Sequence, residues 1–329
     1  MPPARETLRQ ALGWAEQGEA VALATVLRTW GSAPCPAGSH MAVAASGRIA
    51  GAVSGGCVEG AVYEAAQRVL DTGMPARLSF GVADELAWSV GLACGGQIDV
   101  HVERFNPPLF AAALEALDER RPVVLARRLD GEGAWLLPTP EAPDALVAMA
   151  ALHFGRDHPD LVTLNDDVFF LDPITPPPRL IIVGAVQIAQ ALVSMACLAG
   201  YESVVVDPRE AFCTPERFPG TMLLREWPEA AFRSLRLEAR SAVVTLTHDP
   251  KFDEPALRAA VGAPVFYIGT LGSRKTHAAR LTRMRECGVT EEALARIQAP
   301  VGVSIGSVGA GEIAVSILAA VVAARRGAG

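Results

Sequence analysis

Ser54-Gly55-Gly56-Cys57-Val58-Glu59-Gly60 sets a cysteine beside an acid and between glycines, ahead of apolar or small residues at Val58, Val62, Ala65, Ala66 and Val69. That spacing is helical. Cys57 therefore stands near a helix N-terminus, where backbone N–H groups and the helix dipole favour a thiolate and make sulfur a better nucleophile or soft ligand. Gly55 and Gly56 free the chain to turn sharply and let a ligand approach the backbone. Cys94-Gly95-Gly96 repeats part of the pattern 37 residues downstream. The alternative is a pair of tight turns around small buried cysteines.

A second group of residues reads as a nucleotide or phosphate edge. Gly184-Ala185-Val186-Gln187-Ile188-Ala189 follows an apolar strand and opens a helix, and Asp207 ends the next strand 23 residues after Gly184, the context of a dinucleotide fingerprint. Val186 stands where a second glycine would let bare backbone approach a pyrophosphate, so NAD(P) in its usual pose is not expected. Gly269-Thr270-Leu271-Gly272-Ser273-Arg274-Lys275-Thr276 is better provisioned, with free backbone, two hydroxyls and two cations at a helix start. Such a loop suits a phosphate, although Arg274 and Lys275 would equally solvate a surface helix.

Thr247-His248-Asp249 ends another apolar strand, on the edge where ligands of open parallel sheets collect. It offers a hydrogen-bonding or proton-transfer group, or a turn whose Asp249-Pro250 starts a helix. His40, His101, His153, His158, His248 and His277 show no paired helical spacing with each other or with carboxylates, so a conventional metal centre is not expected. Asp84-Glu85 and Asp166-Asp167 read as turn charges.

Positioning these residues takes two domains, since 329 residues exceed the size at which one core stops growing. Residues 1–172 read as an α+β domain with a mixed sheet. Its pieces are a helix near 6–16, a strand at 20–29, a hairpin of 41–45 and 48–53 around Ser46-Gly47, a helix at 58–70, strands at 76–80 and 97–103, helical or strand-like pieces at 109–117, 122–129 and 134–137, and a last strand at 166–171. Residues 173–178 form a linker, because consecutive prolines at Pro176-Pro177-Pro178 join neither a helix nor a sheet interior. In residues 179–329, short apolar strands at 180–183, 203–206, 242–246 and 265–268 alternate with helices, the pattern of a Rossmann-like, doubly wound parallel sheet. A glycine loop, Ser307-Val308-Gly309-Ala310-Gly311, leads into a last helix through Ile313, Ile317 and Val321.

Bulk composition removes several function classes. A net charge of −7, sparse lysine and 6% aromatics leave no basic or stacking face for nucleic acid. Six cysteines scattered without Cys-x-x-Cys are not a disulfide scaffold. The N-terminus has no signal-peptide core, and the apolar stretch 313–324 is too short to span a bilayer, so a cytoplasmic protein is expected.

Taken together, the motifs resemble those of the xanthine dehydrogenase accessory proteins, the XdhC/CoxI family. The resemblance runs nearly end to end: Thr29-Trp30-Gly31-Ser32-Ala33-Pro34, the Ser54–Gly60 motif, Cys94-Gly95-Gly96, the turn at Gly184, Thr247-His248-Asp249, and Tyr267-Ile268-Gly269-Thr270-Leu271-Gly272-Ser273-Arg274. It departs at Val186-Gln187, where many members have Gly-His; at Cys35, where a basic residue is common; and at Ser307–Gly311, which replaces a Pro-Glu-containing approach to the last helix. What the resemblance implies is a maturation factor that binds the molybdenum cofactor, protects it while a cysteine desulfurase supplies its terminal sulfur, and inserts it into the apoenzyme of a molybdenum hydroxylase, with a homodimer as the family form. On that reading the chain is a cofactor chaperone with no turnover of its own. Cys57 or Cys94 is the soft contact for molybdenum or sulfur. Gly55, Gly56, Glu59, Gly95, Gly184, Asp207, His248, Asp249, Gly269, Gly272, Ser273, Arg274 and Lys275 complete the expected cofactor-binding set. The competing readings are an NAD(P)-dependent oxidoreductase built on the Rossmann-like domain and a ligand-free protein adaptor.

Overall fold

In a computed structural model that describes residues 4–30, 35–81, 97–131 and 133–327, the chain divides into two compact units, Met1–Pro176 and Pro177–Gly329.

The first unit is organised around β1 (Val21–Trp30), which is apolar on both sides because both of its faces are covered. Ala22, Ala24 and Val26 pack with Met41 and Val43 under Val62, Ala65, Ala66 and Val69 of α2 (Glu59–Thr72). Val21 and Leu23 face the opposite way, against Leu8 and Ala11 of α1 (Ala4–Glu16) and Phe110, Ala113 and Leu114 of α3 (Pro107–Asp118). With β2 (His40–Ala44), β3 (Ile49–Gly51), β4 (Ala76–Phe80) and β5 (Gln97–Arg104) the sheet order is β3-β2-β1-β5-β4. A second sheet, β7-β6-β9-β8, joins β6 (Val123–Arg128), β7 (Ala134–Leu137), β8 (Asp160–Leu164) and β9 (Asp167–Ile174), with α4 (Asp144–Ala151) packed on it.

The expected mixed sheet is instead two sheets in which every described pair is antiparallel. Short connections impose this on the β1–β2, β2–β3, β6–β7 and β8–β9 pairs, since a parallel pair needs a long crossover. Pro173 and Ile174, read from sequence as linker, continue β9. Pro173 lies opposite Val124 but beyond the last residue paired with β8, so its missing N–H is not required on that side.

Where the first sheet meets β6 and β9, the apolar face gives way to a buried ionic network. Arg127 Nη1 donates to Thr25 Oγ1 at 3.0 Å and to Glu103 Oε1 at 2.7 Å, while His40 Nδ1 shares a proton with Thr25 Oγ1 at 3.2 Å. Asp172 Oδ2 lies 3.5 Å from His40 Nε2 and 3.6 Å from Arg127 Nη2. Burial, aided by the charge of Arg127, holds His40 down to about 3, so its ring is neutral at physiological pH. Burial pushes Asp172 up to about 6 against the pull of Arg127. Burial acts the same way on Glu103, but there Arg127 and His101 prevail and bring the carboxyl down to about 2.

The second unit is a parallel sheet of β10 (Arg179–Val183), β11 (Glu202–Val206), β12 (Met222–Leu224), β13 (Ser241–Thr245), β14 (Tyr267–Thr270) and β15 (Ile297–Gln298), in the order β12-β11-β10-β13-β14-β15. Leu180 and Ile182 face α5 (Gln187–Leu198) and α10 (Gly309–Arg326). Ile181 and Val183 face the other layer, where α6 (Pro228–Leu235), α7 (Pro250–Val261), α8 (Arg274–Glu286) and α9 (Glu291–Ala295) pack. This is the Rossmann order, with the switch point between β10 and β13. The loop expected at 307–311 is shorter than anticipated. Glu312 accepts the Val308 N–H at 2.6 Å and starts α10 at Gly309. Among the described residues no helix is long and apolar enough to cross a membrane.

Candidate functional site

The Cys57 turn is held together by Ser54, which is only 6% exposed. Glu59, the first residue of α2, reaches back so that Oε1 accepts the Ser54 N–H at 2.8 Å and Oε2 accepts its hydroxyl at 2.6 Å. Ser54 Oγ in turn accepts from Gly56 N at 3.3 Å and lies 3.4 Å from Cys57 Sγ. Gly56 takes φ 111°, a conformation that explains the glycine, and a Cβ there would meet open space. Exposed Gly55 precedes it, and Cys57 itself is half-buried.

Cys57 sits near the start of α2, as the sequence spacing predicts, and two details sharpen that reading. The N-cap of α2 is Val58, so Cys57 lies just outside the helix, and the acid at its first position already complements the dipole. The Ser54 proton is also committed to Glu59, so the sulfur faces a hydroxyl lone pair and is the donor in that contact. Beneath the turn, fully buried Cys35 donates to the Ser54 carbonyl at 3.2 Å. Burial, then the charge of Glu59, pushes the Cys35 thiol up. Sequence reading missed Cys35 as a support because nothing local links it to Ser54. Cys94, Gly95 and Gly96 lie outside the described residues.

In the second unit the three loops singled out from sequence sit side by side at the carboxyl edge of the sheet. Gly184 takes φ 111°, and a Cβ on it would come within 2.6 Å of Thr247 Cγ2, so the first turn is pressed against the Thr247 loop. Val186 packs partly buried against the core. Asp207 is fully buried, and its carboxylate accepts from Ala185 N at 2.8 Å, Arg209 N at 2.9 Å, Arg209 Nε at 2.9 Å and Arg209 Nη2 at 2.6 Å. A carboxylate with those partners has no need of a ribose hydroxyl. The place read as a ligand contact is a clasp between β10 and β11.

Asp249 caps α7 through Lys251 N at 2.9 Å, with Pro250 at the first helical position, while His248 is exposed in a left-handed conformation at φ 61°. Thr247 Oγ1 donates to buried Asp253 Oδ1 at 2.7 Å, and Arg280 Nη2 approaches Asp253 Oδ2 at 3.3 Å and the Leu271 carbonyl at 3.2 Å. Asp253 and Arg280, 27 residues apart on α7 and α8, tie the Thr247 loop to the Gly272 loop. Only the burial of Arg280 and Met284 on one face of the polar helix α8 hints at this pairing. Gly269 departs from expectation: it lies within β14, where a Cβ would strike Val301 and Tyr267, so packing keeps it bare. Gly272 and Ser273 form the actual turn. Ser273 caps α8 by accepting Thr276 N at 3.2 Å, and Arg274 and Lys275 are exposed on the first turn. Among the described residues no three His, Cys, Asp or Glu side chains converge as metal ligands.

Fold and sites define an α/β protein with a Rossmann unit whose fingerprint carboxylate, Asp207, is bonded to its own Ala185 and Arg209, and an antiparallel unit presenting a glycine–cysteine turn. Residues 180–321 match the XdhC Rossmann domain, and residues 14–81 match the XdhC and CoxI family. The chain is 31% identical, over 98% of its length and 88% of the relative's, to the molybdenum cofactor insertion chaperone PaoD of Escherichia coli. It is 30% identical to a Bacillus subtilis protein named as a probable xanthine dehydrogenase subunit, over 94% of each chain. A crystal structure described as a xanthine dehydrogenase from Bacillus halodurans shares the fold, with a TM-score of 0.77, 24% identity and coverage of 98% of this chain and 96% of that one. This chain belongs to the XdhC and CoxI family.

Proposed function

We propose that the protein carries the molybdenum cofactor, protects it while its terminal sulfur is installed, and inserts it into a molybdenum hydroxylase of the xanthine dehydrogenase type. The observation that carries this reading is the similarity, along 98% of the chain, to a protein named as an insertion chaperone. The Cys57 turn supports it by offering one soft sulfur on a bare-backbone approach, which suits a carried metal or a sulfur relay better than a resident metal centre. Cys94 and Gly95 join it in the family pattern. The start of α8, with Gly272, Ser273, Arg274 and Lys275, would take the pterin phosphate, and Gly184, His248 and Asp249 border it. Asp207 and Gly269 act as framework. The apoenzyme of the hydroxylase and a cysteine desulfurase are the partners in this reading, which includes a cytoplasmic homodimer.

A dehydrogenase reading is disfavoured by the Asp207–Arg209 clasp. The test is activation of an apo-hydroxylase by protein purified anaerobically from cells making the cofactor. The reading requires faster or fuller activation than the same quantity of free cofactor produces. Equal activation by both would remove it.

A further inference from the structure

Arg280 is 3% exposed, yet its guanidinium is incompletely used. Nη2 is shared between Asp253 Oδ2 and the Leu271 carbonyl, both at more than 3 Å, and Nη1 is buried without a hydrogen-bond partner among the described residues. His277, one turn earlier on α8, has an unpartnered buried Nδ1 as well. A buried donor left without an acceptor forfeits the hydrogen bond it had to water. On a guanidinium beneath the Gly272 turn, Nη1 calls for an acceptor from outside the chain.

The geometry of the turn says where it would enter. Gly272 takes φ 139°, and a Cβ built on it would lie 3.5 Å from Thr276 Cβ and 3.8 Å from Arg280 Nη1. Glycine at 272 thus keeps a side chain off the strip between the first turn of α8 and the guanidinium, the side from which an oxygen would approach Nη1. Ser273 Oγ and Thr276 Oγ1 sit 3.0 Å apart at that helix start, and exposed Arg274 and Lys275 flank it. Two carboxylates oppose an anion: Asp253, which meets Arg280 Nη2, and Glu254, whose charge also reaches Arg280. Burial pushes Asp253 up and Arg280 down, as expected of a pair with too few bonds for its charge.

We infer that Arg280 is the buried reader of an anion site at the start of α8, taking a phosphate monoester through Nη1 beneath Gly272. The α8 helix of 13 residues supplies backbone N–H groups and the positive end of its dipole, and Lys275 supplies long-range attraction. Within the carrier reading, on which the ligand's identity rests, the monoester is the terminal phosphate of the pterin cofactor. The site itself is defined by phosphate chemistry alone.

The test is calorimetric titration of the full chain with phenyl phosphate. Wild type binds it. Arg280→Lys keeps the charge and the approach to Asp253 but loses the second nitrogen, and weakens binding about tenfold or more. Asp253→Asn removes the competing carboxylate and tightens binding severalfold, a gain that a merely structural ion pair would not give. Lys275→Ala weakens binding about threefold at low salt and less at high salt. Circular dichroism and thermal melts check folding. If Arg280→Lys does not fold, the predicted gain in Asp253→Asn stands as the deciding measurement. Absence of binding by wild type, unchanged binding by folded Arg280→Lys, or weaker binding by Asp253→Asn would overturn the inference. No molybdenum enters the readout, so protein that binds phenyl phosphate but never carries cofactor keeps the site and loses the carrier reading. A cofactor carrier whose Arg280→Lys form binds phenyl phosphate normally shows the reverse.

Discussion

Replacing Glu59 with glutamine should make Cys57 more reactive at a cost of about 1–2 kcal/mol in stability. In the native turn Glu59 Oε1 takes the Ser54 N–H and Oε2 takes the Ser54 hydroxyl proton, so Cys57 Sγ, 3.4 Å from Ser54 Oγ, faces a lone pair. In Glu59→Gln the amide oxygen still accepts from Ser54 N, while the amide nitrogen donates to Ser54 Oγ. The serine proton is then free to turn toward sulfur, and a nearby negative charge is gone. One hydrogen bond gained by the thiolate is worth about 1 kcal/mol, or about fivefold in the population that reacts. The charged bond lost to Glu59, and its favourable place at the helix start, together cost about 1–2 kcal/mol of stability. The assay is alkylation by iodoacetamide at fixed pH, quantified for the Cys57 peptide by mass spectrometry, with a denaturation midpoint measured in parallel. A Cys57 rate that is unchanged or lower in folded Glu59→Gln would refute the assignment of the Ser54 proton.

Four further outcomes follow from the structure. Between pH 3.8 and about 6 the unfolded chain releases the Asp172 proton while the folded chain keeps it, so this carboxyl withdraws stability as pH rises through that window, and Asp172→Asn should gain on wild type by up to about 3 kcal/mol in denaturation series at successive pH values; a flat difference would contradict the buried, raised carboxyl. His40, held near 3, works in the opposite direction, so His40→Gln should show a steeper fall than wild type over the same window. Gly184→Ala must accept φ 111° and a clash with Thr247, a cost of about 3 kcal/mol that should lower the melting temperature of the second unit, and a wild-type melt would refute it. Calorimetry with NAD, NADP and their reduced forms should show no saturable heat, since Asp207 is already held by Ala185 and Arg209.

Sequence carried the local signals well. Asp249-Pro250 announces a helix start and caps α7, the turn at Gly184 opens α5, and the glycines before Cys57 make the expected turn. What sequence does not carry is pairing at a distance. Arg280 meets Asp253, Arg127 meets Glu103 and Asp172, and Cys35 supports Ser54, contacts fixed by the packing of separate elements with no local pattern to mark them. Gly269 shows a second limit, since a glycine kept bare by Val301 and Tyr267 reads in sequence like one kept bare for a ligand. Asp207 shows a third: its position in the fingerprint is visible, but the Arg209 clasp that occupies it depends on how the chain turns after β11.

The most direct measurement of the central claim is the molybdenum and oxidised-pterin content per chain of protein purified anaerobically from cells that synthesise the cofactor, compared with Cys57→Ser handled identically. Cofactor carriage with Cys57 as its soft contact predicts both signals in a fixed ratio on the wild type, and loss of most of the molybdenum from the folded variant. Wild type free of both signals, or a variant loaded as fully as wild type, would contradict it.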